Sequence, residues 1–228
     1  MNLRQIASAV ALFMLGSAAH GQTFFFTNPG AIADGGNPPG TFGAPRVMTV
    51  NSNVTNPIQD VLVTISITHT WVGDLRIRLA YTPAGSPTTT STFVLNRIGS
   101  VSDNFTGDSS NLGGTYTFAL GGTSCIAAVV PLGDTAVLGP GVYAPVVSNF
   151  NGNHTVVEFA DSFRGLPGSG TWTLTFDDAA VQDTGVVQNA SIALQARPVP
   201  CLADFNTDGA VDSTDLVFFL VRFGQTCP

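Results

Sequence analysis

The chain has 228 residues, of which only 10% are charged and 44% are hydrophobic, and its formal net charge is −7. This acidic balance argues against nucleic acid as a partner, because phosphate binding requires a basic face. The chain is too apolar to be disordered, and its many Gly and Pro residues interrupt long helices. Length and composition together indicate one folded domain of the all-β type, with a short additional segment.

The first 21 residues have the organisation of a signal peptide. A short start containing Arg4 precedes the apolar run IASAVALFMLGSAA, which is shorter than a bilayer span. Small residues follow, so cleavage after either Ala19 or Gly21 satisfies the small-residue rule. The competing interpretation is a buried N-terminal helix. We predict a secreted, extracellular protein, either free or associated with the cell surface, with no membrane span elsewhere in the chain.

Alternation of apolar and polar residues predicts strands through most of residues 22–197. In VLVTISITHTW, one face is mostly apolar and includes His69 and Trp71, and the other face carries Leu62 and a row of hydroxyl side chains. The same period of two occurs in DLRIRLAY, TYTFAL, TWTLTF and SIALQA, and turn clusters separate these runs. The pattern predicts a mainly β fold, an antiparallel β-sandwich or jelly roll, with no amphipathic helix before residue 200. The prolines of ARPVPC (196–201) mark a domain boundary.

Three stretches in this region carry a recognisable order of motifs. They are ITHTWVGDLRIRLAYTPAG (67–85), YAPVVSNFNG (143–152) and GSGTWTLTFDDAAVQDTGVVQNASIAL (168–194). The first has His-Thr, Gly-Asp-Leu and Pro-x-Gly elements, and the last has a Gly-x-Trp-x-Leu strand and an Asp-x-Gly turn at Asp183 and Gly185. In these motifs the chain resembles the P domain, which follows the catalytic domain of subtilisin-like proprotein convertases. The resemblance implies a P-domain-like β-sandwich over residues 22–197.

The sequence gives little support for an enzyme. The resemblance places the Asp/His/Ser triad of the convertases in a separate α/β domain, and this chain has neither the length nor the helix–strand alternation for one. His69 lies on an apolar strand face, which predicts a core histidine bonded to backbone or to a carboxylate. His154 falls in a polar turn and is predicted to be solvated. Ser109 lies in the turn cluster GDSS, outside the strand–turn–helix context of a hydrolase nucleophile.

Acidic residues in the predicted sandwich are candidates for a catalytic pair or for metal binding. Asp177 and Asp178 are adjacent in a predicted strand, so their side chains point to opposite faces and do not form a catalytic pair. Asp74 lies in VGDL, between two predicted strands. It is either a turn carboxylate that accepts backbone N–H groups, or a ligand of a structural cation together with acids such as Asp177 or Asp183.

The stretch DFNTDGAVDSTD (204–215) matches the twelve-position calcium loop. Oxygen ligands for Ca²⁺ are predicted at positions 1, 3, 5, 7, 9 and 12 of that loop, which are Asp204, Asn206, Asp208, Ala210 (through its carbonyl), Asp212 and Asp215. Gly209 occupies position 6, where the chain turns sharply. Carboxylates this close repel one another unless a cation lies among them. The spacing therefore predicts a calcium site, against the alternative of a solvated acidic turn.

The residues on either side of this loop resemble a dockerin-type repeat of the EF-hand class more than a full helix–loop–helix. PVPCLA before it cannot form an entering helix, whereas DLVFFLVRFG after it predicts an exiting one. That helix is apolar nearly all round, which predicts burial against the sandwich, a partner or a second copy. The resemblance implies a dockerin-like module over residues 198–228.

The three cysteines fit an exported protein. Cys201 and Cys227 bracket the calcium loop and are the natural disulfide pair, which stabilises by roughly 3 kcal/mol in the chain-entropy model. Cys125 lies in the apolar run SCIAAVV, which favours a buried, inert thiol over a nucleophile. Pairing of Cys125 with another cysteine remains open.

These features predict a secreted, non-catalytic binding protein. Its partner would be a protein or polysaccharide at the cell surface or outside the cell, and its only predicted cofactor is Ca²⁺. The alternative is an accessory or degenerate component of a secreted subtilisin-like protease or polysaccharide hydrolase system.

Overall fold

The structure is a computed structural model that describes residues 20–102, 104–119, 122, 124–125, 136–148, 154–196 and 213–222. These residues are mainly β and form two sheets, consistent with the predicted β-sandwich. The strands in chain order are β1 (His20–Phe25), β2 (Gly30–Ile32), β3 (Arg46–Asn53), β4 (Ile58–His69), β5 (Leu75–Pro83), β6 (Thr90–Asn96), β7 (Asn111–Phe118), β8 (Ser124–Cys125), β9 (Val137–Leu138), β10 (Gly141–Ala144), β11 (Val146–Ser148), β12 (His154–Val156), β13 (Ser169–Asp178) and β14 (Gly185–Ala196).

Consecutive long strands pass from one sheet to the other. The first sheet has the order β1-β14-β4-β7-β10-β8, with β2 beside β14 and β9 beside β7. The second sheet has the order β12-β11-β6-β5-β13-β3. The chain therefore crosses between the sheets from β3 to β4, from β4 to β5 and from β13 to β14. Two of these crossings, β4 to β5 and β13 to β14, lie at the same end of the sandwich.

The alternation in the sequence correctly predicts which side chains are buried. The even spacing within β4, β5, β13 and β14 directs one apolar set inward, and both sheets contribute to one hydrophobic cluster. Fully buried members of this set include Val61, Val63, Ile65, Leu75, Leu79, Leu174, Phe176, Ile192 and Leu194. Four long strands that the sequence identifies directly therefore supply about half of this hydrophobic cluster.

Strand direction agrees with the prediction only in part. The long strands pair antiparallel, as in β14 with β4 and β13 with β5. Short strands at the sheet margins pair parallel, as in β10 with β7 and with β8, β9 with β7, and β11 with β6. Both sheets are thus mixed. These strands are two to four residues long and belong to connections, so no hairpin forces them to run antiparallel.

Two α-helices lie among the described residues. The helix α1 (Phe159–Phe163) was not predicted, because five residues are too few for a helical period to show in the sequence. It buries Phe159 and Phe163 in the core. The helix α2 (Ser213–Arg222) lies where the exiting helix was predicted. Neither helix is long and apolar enough to cross a membrane.

Candidate functional site

One end of the sandwich collects carboxylates from distant parts of the chain, and we call it the acidic end. It consists of residues 33–43, a 3₁₀ turn (Val72–Asp74), residues 97–102 and 104–110, and the turn 179–184. The turn Val72–Asp74 connects β4 to β5, and the turn 179–184 connects β13 to β14. The four longest strands, β4, β5, β13 and β14, therefore all begin or end at the acidic end.

Main-chain hydrogen bonds hold these segments against one another. The Gly35 N–H donates to Ala180 O at 2.9 Å, and the Gly73 N–H donates to Asp108 O at 2.9 Å. A Cβ at Gly35 would stand 2.3 Å from Ala180 N, and one at Gly73 would stand 2.2 Å from Asp108 N. The close approach of these backbones thus requires glycine at both positions. The result is a packed set of loops held together by backbone groups.

Trp71 ends β4 one turn before the acidic cluster. Its backbone is left-handed, with φ of 63°, so the strand predicted to run through Trp71 stops at His69. The Trp71 indole N–H donates to Thr106 O at 2.9 Å, and its main-chain N–H donates to the Asn111 side chain at 3.1 Å. These bonds fix the turn that carries Asp74.

His69 and Asp178 form a buried pair. His69 Nε2 lies 3.1 Å from Asp178 Oδ2, and both side chains have no exposed surface. The other Asp178 oxygen accepts the Ala180 N–H at 3.0 Å. The prediction that His69 is a core histidine bonded to a carboxylate is confirmed. Asp178 is consequently bonded at both oxygens.

Asp177 is held on the other face of the same strand. Arg76 Nη2 lies 2.9 Å from Asp177 Oδ2, and Arg76 Nε donates to the same oxygen at 3.0 Å. The Arg76 guanidinium also stacks 3.7 Å above the centre of the Phe42 ring. The prediction that Asp177 and Asp178 point to opposite faces is confirmed. Asp177 is therefore not a partner of Asp74. The suggestion that Asp177 joins Asp74 in binding a cation is wrong, and Asp183 is the other acid that was suggested.

Asp74 is a buried acid whose carboxylate makes no hydrogen bond. The residue has no exposed surface, and neither carboxylate oxygen has a hydrogen-bond partner. Its main-chain N–H donates to Trp71 O, and its main-chain carbonyl accepts the Ala179 N–H at 3.0 Å. The interpretation of Asp74 as a turn carboxylate that accepts backbone N–H groups is therefore wrong. The turn is closed by main-chain groups alone, and the carboxylate is left unpartnered.

Burial, followed by the charges of Asp178 and Asp183, raises the pKa of Asp74 from 3.8 to about 7. The Arg97 guanidinium opposes this rise and is outweighed. Asp183 is near enough to affect the pKa of Asp74, although no Asp74 oxygen meets ordinary hydrogen-bond geometry with it. A carboxyl group in this setting is half-protonated near neutral pH unless a positive charge joins it.

His154 lies outside the acidic end but hydrogen-bonds to one of its loops. The sequence did not predict this contact. Its Nε2 accepts the Gly99 N–H at 3.0 Å, and burial lowers its pKa. The prediction of a solvated turn histidine is wrong, because β12 places His154 beside the loop that contains Gly99. The pairing of β12 with β11 brings His154 to this loop, and that tertiary contact is not visible in the local sequence.

The predicted calcium loop lies almost entirely outside the described residues. Asp204, Asn206, Asp208, Ala210 and Asp212 fall in the range that the structure does not describe, as do Cys201 and Cys227. Asp215 lies within the backbone of α2. In the described ranges, no three His, Cys, Asp or Glu side chains are grouped as metal ligands. The loop remains a prediction from its spacing.

Three apolar side chains of α2 face outward. Leu216, Val217 and Leu220 are each more than half exposed. These three side chains are therefore not buried against the rest of the described chain, although the sequence predicts burial of the helix. Cys125, predicted to be a buried thiol, lies in β8 and pairs with Ala144 across the sheet.

Comparisons with known proteins give no family assignment. No family model matches the chain, and no curated protein matches it. One similar solved structure is a complex of Aeromonas sobria serine protease and the chaperone, at 16% identity and a TM-score of 0.40. The similarity covers 79% of this chain and 27% of that chain, so this chain spans about a quarter of the other's length. At this level the similarity assigns neither a family nor a function.

Proposed function

We propose that the chain is a secreted, non-catalytic binding protein in which a P-domain-like sandwich precedes a calcium-binding, dockerin-like module. Its partner is a protein or polysaccharide at the cell surface or outside the cell. The observation that supports the non-catalytic part is the burial of three titratable groups at the acidic end. His69, Asp74 and Asp178 are buried, and His69 and Asp178 are bonded to each other. A general acid or base must reach its substrate, and these groups do not reach the surface.

The loops of the acidic end support a binding role. Binding residues are commonly found on loops that a rigid scaffold positions. Phe105 and Val101 on one loop and Val181 on another are large apolar side chains that are roughly 40–50% exposed. These loops are also fixed by main-chain and side-chain bonds, which lowers the entropy lost when a partner binds. The acidic end is accordingly the surface at which we place the partner.

A binding experiment tests this assignment. Purified full-length protein is sedimented with washed cell envelopes or insoluble polysaccharides, in calcium and in chelator. We expect Phe105→Ala to weaken binding roughly tenfold, as expected when a partly exposed aromatic anchor is lost. The matched control is Val142→Ala, which removes a similarly exposed apolar side chain from β10. Equal binding by the two variants would move the partner to another surface. Recovery of a secreted protease or hydrolase as the bound protein would favour the accessory role instead.

A second experiment tests the C-terminal module. Calorimetric titration of the oxidised protein with calcium should show one equivalent that is lost in Asp204→Ala and in Asp215→Ala. Asp161→Asn is the charge-matched control, because Asp161 is an exposed acid of α1. Melting in calcium and in chelator should show the same dependence. Retention of that equivalent in both alanine variants would refute calcium binding by residues 204–215.

A further inference from the structure

The buried Asp74 carboxylate destabilises the folded state, because no described group donates a hydrogen bond to it. An ionised carboxylate without hydrogen bonds is strongly destabilised when it is removed from water. Both Asp74 oxygens are in that position, and the residue has no exposed surface. Unsatisfied buried groups are rare in native proteins, and they point to strain, function or an additional bound species.

The backbone brings a second acid to the same place. Leu75 pairs with Asp178 across β5 and β13, and the Ala179 N–H donates to the Asp74 carbonyl. The turn that begins at Ala179 carries Asp183, and the Thr70 N–H donates to Thr184 O at 3.1 Å at its far end. The turn is thus anchored on both sides of Asp74. Main-chain bonds at Ala179 and Thr184 therefore bracket Asp183 in the turn beside Asp74, and its charge acts on the Asp74 carboxyl group.

Among the residues that the structure describes, no side chain donates a hydrogen bond to the Asp74 carboxylate. Asp178 is committed to His69 and to the Ala180 N–H. Arg76 is committed to Asp177 on the opposite face of the strand. Arg97 is near enough to attract Asp74, but it donates no hydrogen bond to either Asp74 carboxylate oxygen. A proton or a cation is therefore required at Asp74.

We propose that Asp74 and Asp183 bind a divalent, oxygen-preferring cation, with Ca²⁺ as the ion the site takes. Carboxylate ligands select hard cations such as Ca²⁺ and Mg²⁺ over the soft metals. Two acids do not fill a calcium coordination sphere, so main-chain carbonyls and water complete it. The flexible geometry of calcium accepts such a mixture, whereas Mg²⁺ demands a near-ideal octahedron. The cation joins the β4–β5 turn to the β13–β14 turn, independently of the predicted loop at residues 204–215.

The test uses the full chain with Asp204→Ala and Asp208→Ala, which silence the C-terminal loop. In this background, calcium at about 100 times its dissociation constant should raise the melting temperature by about 5–10 °C relative to chelator. Calorimetric titration should give one equivalent of Ca²⁺. Adding Asp74→Asn or Asp183→Asn should abolish both the temperature shift and the equivalent. The same titration with Mg²⁺ should give a smaller shift.

Asp177→Asn is the matched control, because it removes a buried carboxylate that already has a cationic partner. This variant loses stability but should keep the full calcium response. A shared proton between Asp74 and Asp183 gives a different outcome: calcium has no effect on the melting temperature of the background protein, and titration gives no equivalent of Ca²⁺. That outcome overturns the proposal, as does a calcium response that survives in either Asp74→Asn or Asp183→Asn. Because the loop is silenced throughout, failure here leaves the C-terminal module untouched.

Discussion

The strand pair β5–β13 has contrasting ends. At the end away from the acids, the Trp172 ring stacks on Tyr81 with centroids 4.1 Å apart, and Phe163 contacts it edge-on at 5.0 Å. The polar atoms of this aromatic end are satisfied. Trp172 Nε1 donates to Ser52 Oγ at 3.2 Å, Ser52 Oγ donates to Gly168 O at 2.6 Å, and the Tyr81 hydroxyl donates to Pro167 O.

The acidic end is built on the same two strands but is not satisfied. Asp74 precedes β5 and Asp178 ends β13, and the Asp74 carboxylate has no hydrogen-bond partner. The aromatic end combines close ring contacts with complete hydrogen bonding, which stabilises a fold. The acidic end retains a buried charge that destabilises the chain on its own. Such local conflict is expected where a protein binds something, because packing alone gives no reason to keep it.

The largest effect is expected at the aromatic end. Trp172→Ala should reduce the free energy of unfolding by about 3–5 kcal/mol, because it opens a cavity and leaves Ser52 without its indole donor. Urea denaturation followed by circular dichroism measures the change. Val186→Ala on β14, where the side chain is partly exposed, should cost far less. Similar losses in the two variants would mean that the aromatic cluster is not the main source of stability.

The next effect has the opposite sign and lies at the acidic end. In chelator at pH 8, Asp74→Asn should increase the free energy of unfolding by roughly 2–4 kcal/mol, because it removes a buried, unpartnered charge. The pKa of Asp74 rises from 3.8 to about 7 on folding, so the folded state holds this proton more tightly. The wild type should therefore lose stability as pH rises from about 4 to 7.

Denaturation at several pH values in chelator tests this sign. The difference between Asp74→Asn and the wild type should be small at pH 4, grow through pH 7 and then level off. Asp161→Asn, which changes an exposed acid, should show no such trend. If Asp74→Asn destabilises the protein at pH 8, a group in the structure must stabilise the ionised carboxylate, and the contrast between the two ends is lost.

The aromatic end was largely predictable from the sequence, and the acidic end was not. Alternation within TWTLTF and DLRIRLAY is a local signal, and it correctly places Trp172 and Tyr81 in the core. Hydrogen-bond partners such as Ser52 and Pro167 are distant in sequence and follow only from the strand pairing. A period of two indicates which face a residue occupies but not which residue faces it.

At the acidic end, the turn motif around Asp74 was visible, but its environment depends on topology. The β4–β5 and β13–β14 crossings have to lie at the same end before Asp74, Asp178 and Asp183 become neighbours. The sequence also suggested Asp177 as a partner, because nothing local shows that Arg76 is directly opposite it in register. By contrast, the calcium loop at residues 204–215 is contiguous, so its ligand set can be predicted from spacing alone.

The smallest effect is expected where β12 contacts the loop of the acidic end. His154 Nε2 accepts the Gly99 N–H, which requires the neutral ring, and burial lowers the pKa of His154 below its ordinary 6.5. The stability that this bond contributes is present above pH 6.5 and is lost as pH falls through the folded-state pKa. Its pH dependence is thus opposite in sign to that of Asp74.

His154→Gln should therefore cost roughly 0.5–1.5 kcal/mol at pH 8, as expected for one hydrogen bond, and progressively less below pH 6.5. Urea denaturation of wild type and variant at pH 5, 6.5 and 8 measures the difference, and the Asp74→Asn background removes the opposing carboxyl titration. A cost that is unchanged across this range would mean that His154 stabilises the loop by packing. In that case the Gly99 N–H bond would add nothing to the connection between β12 and the acidic end.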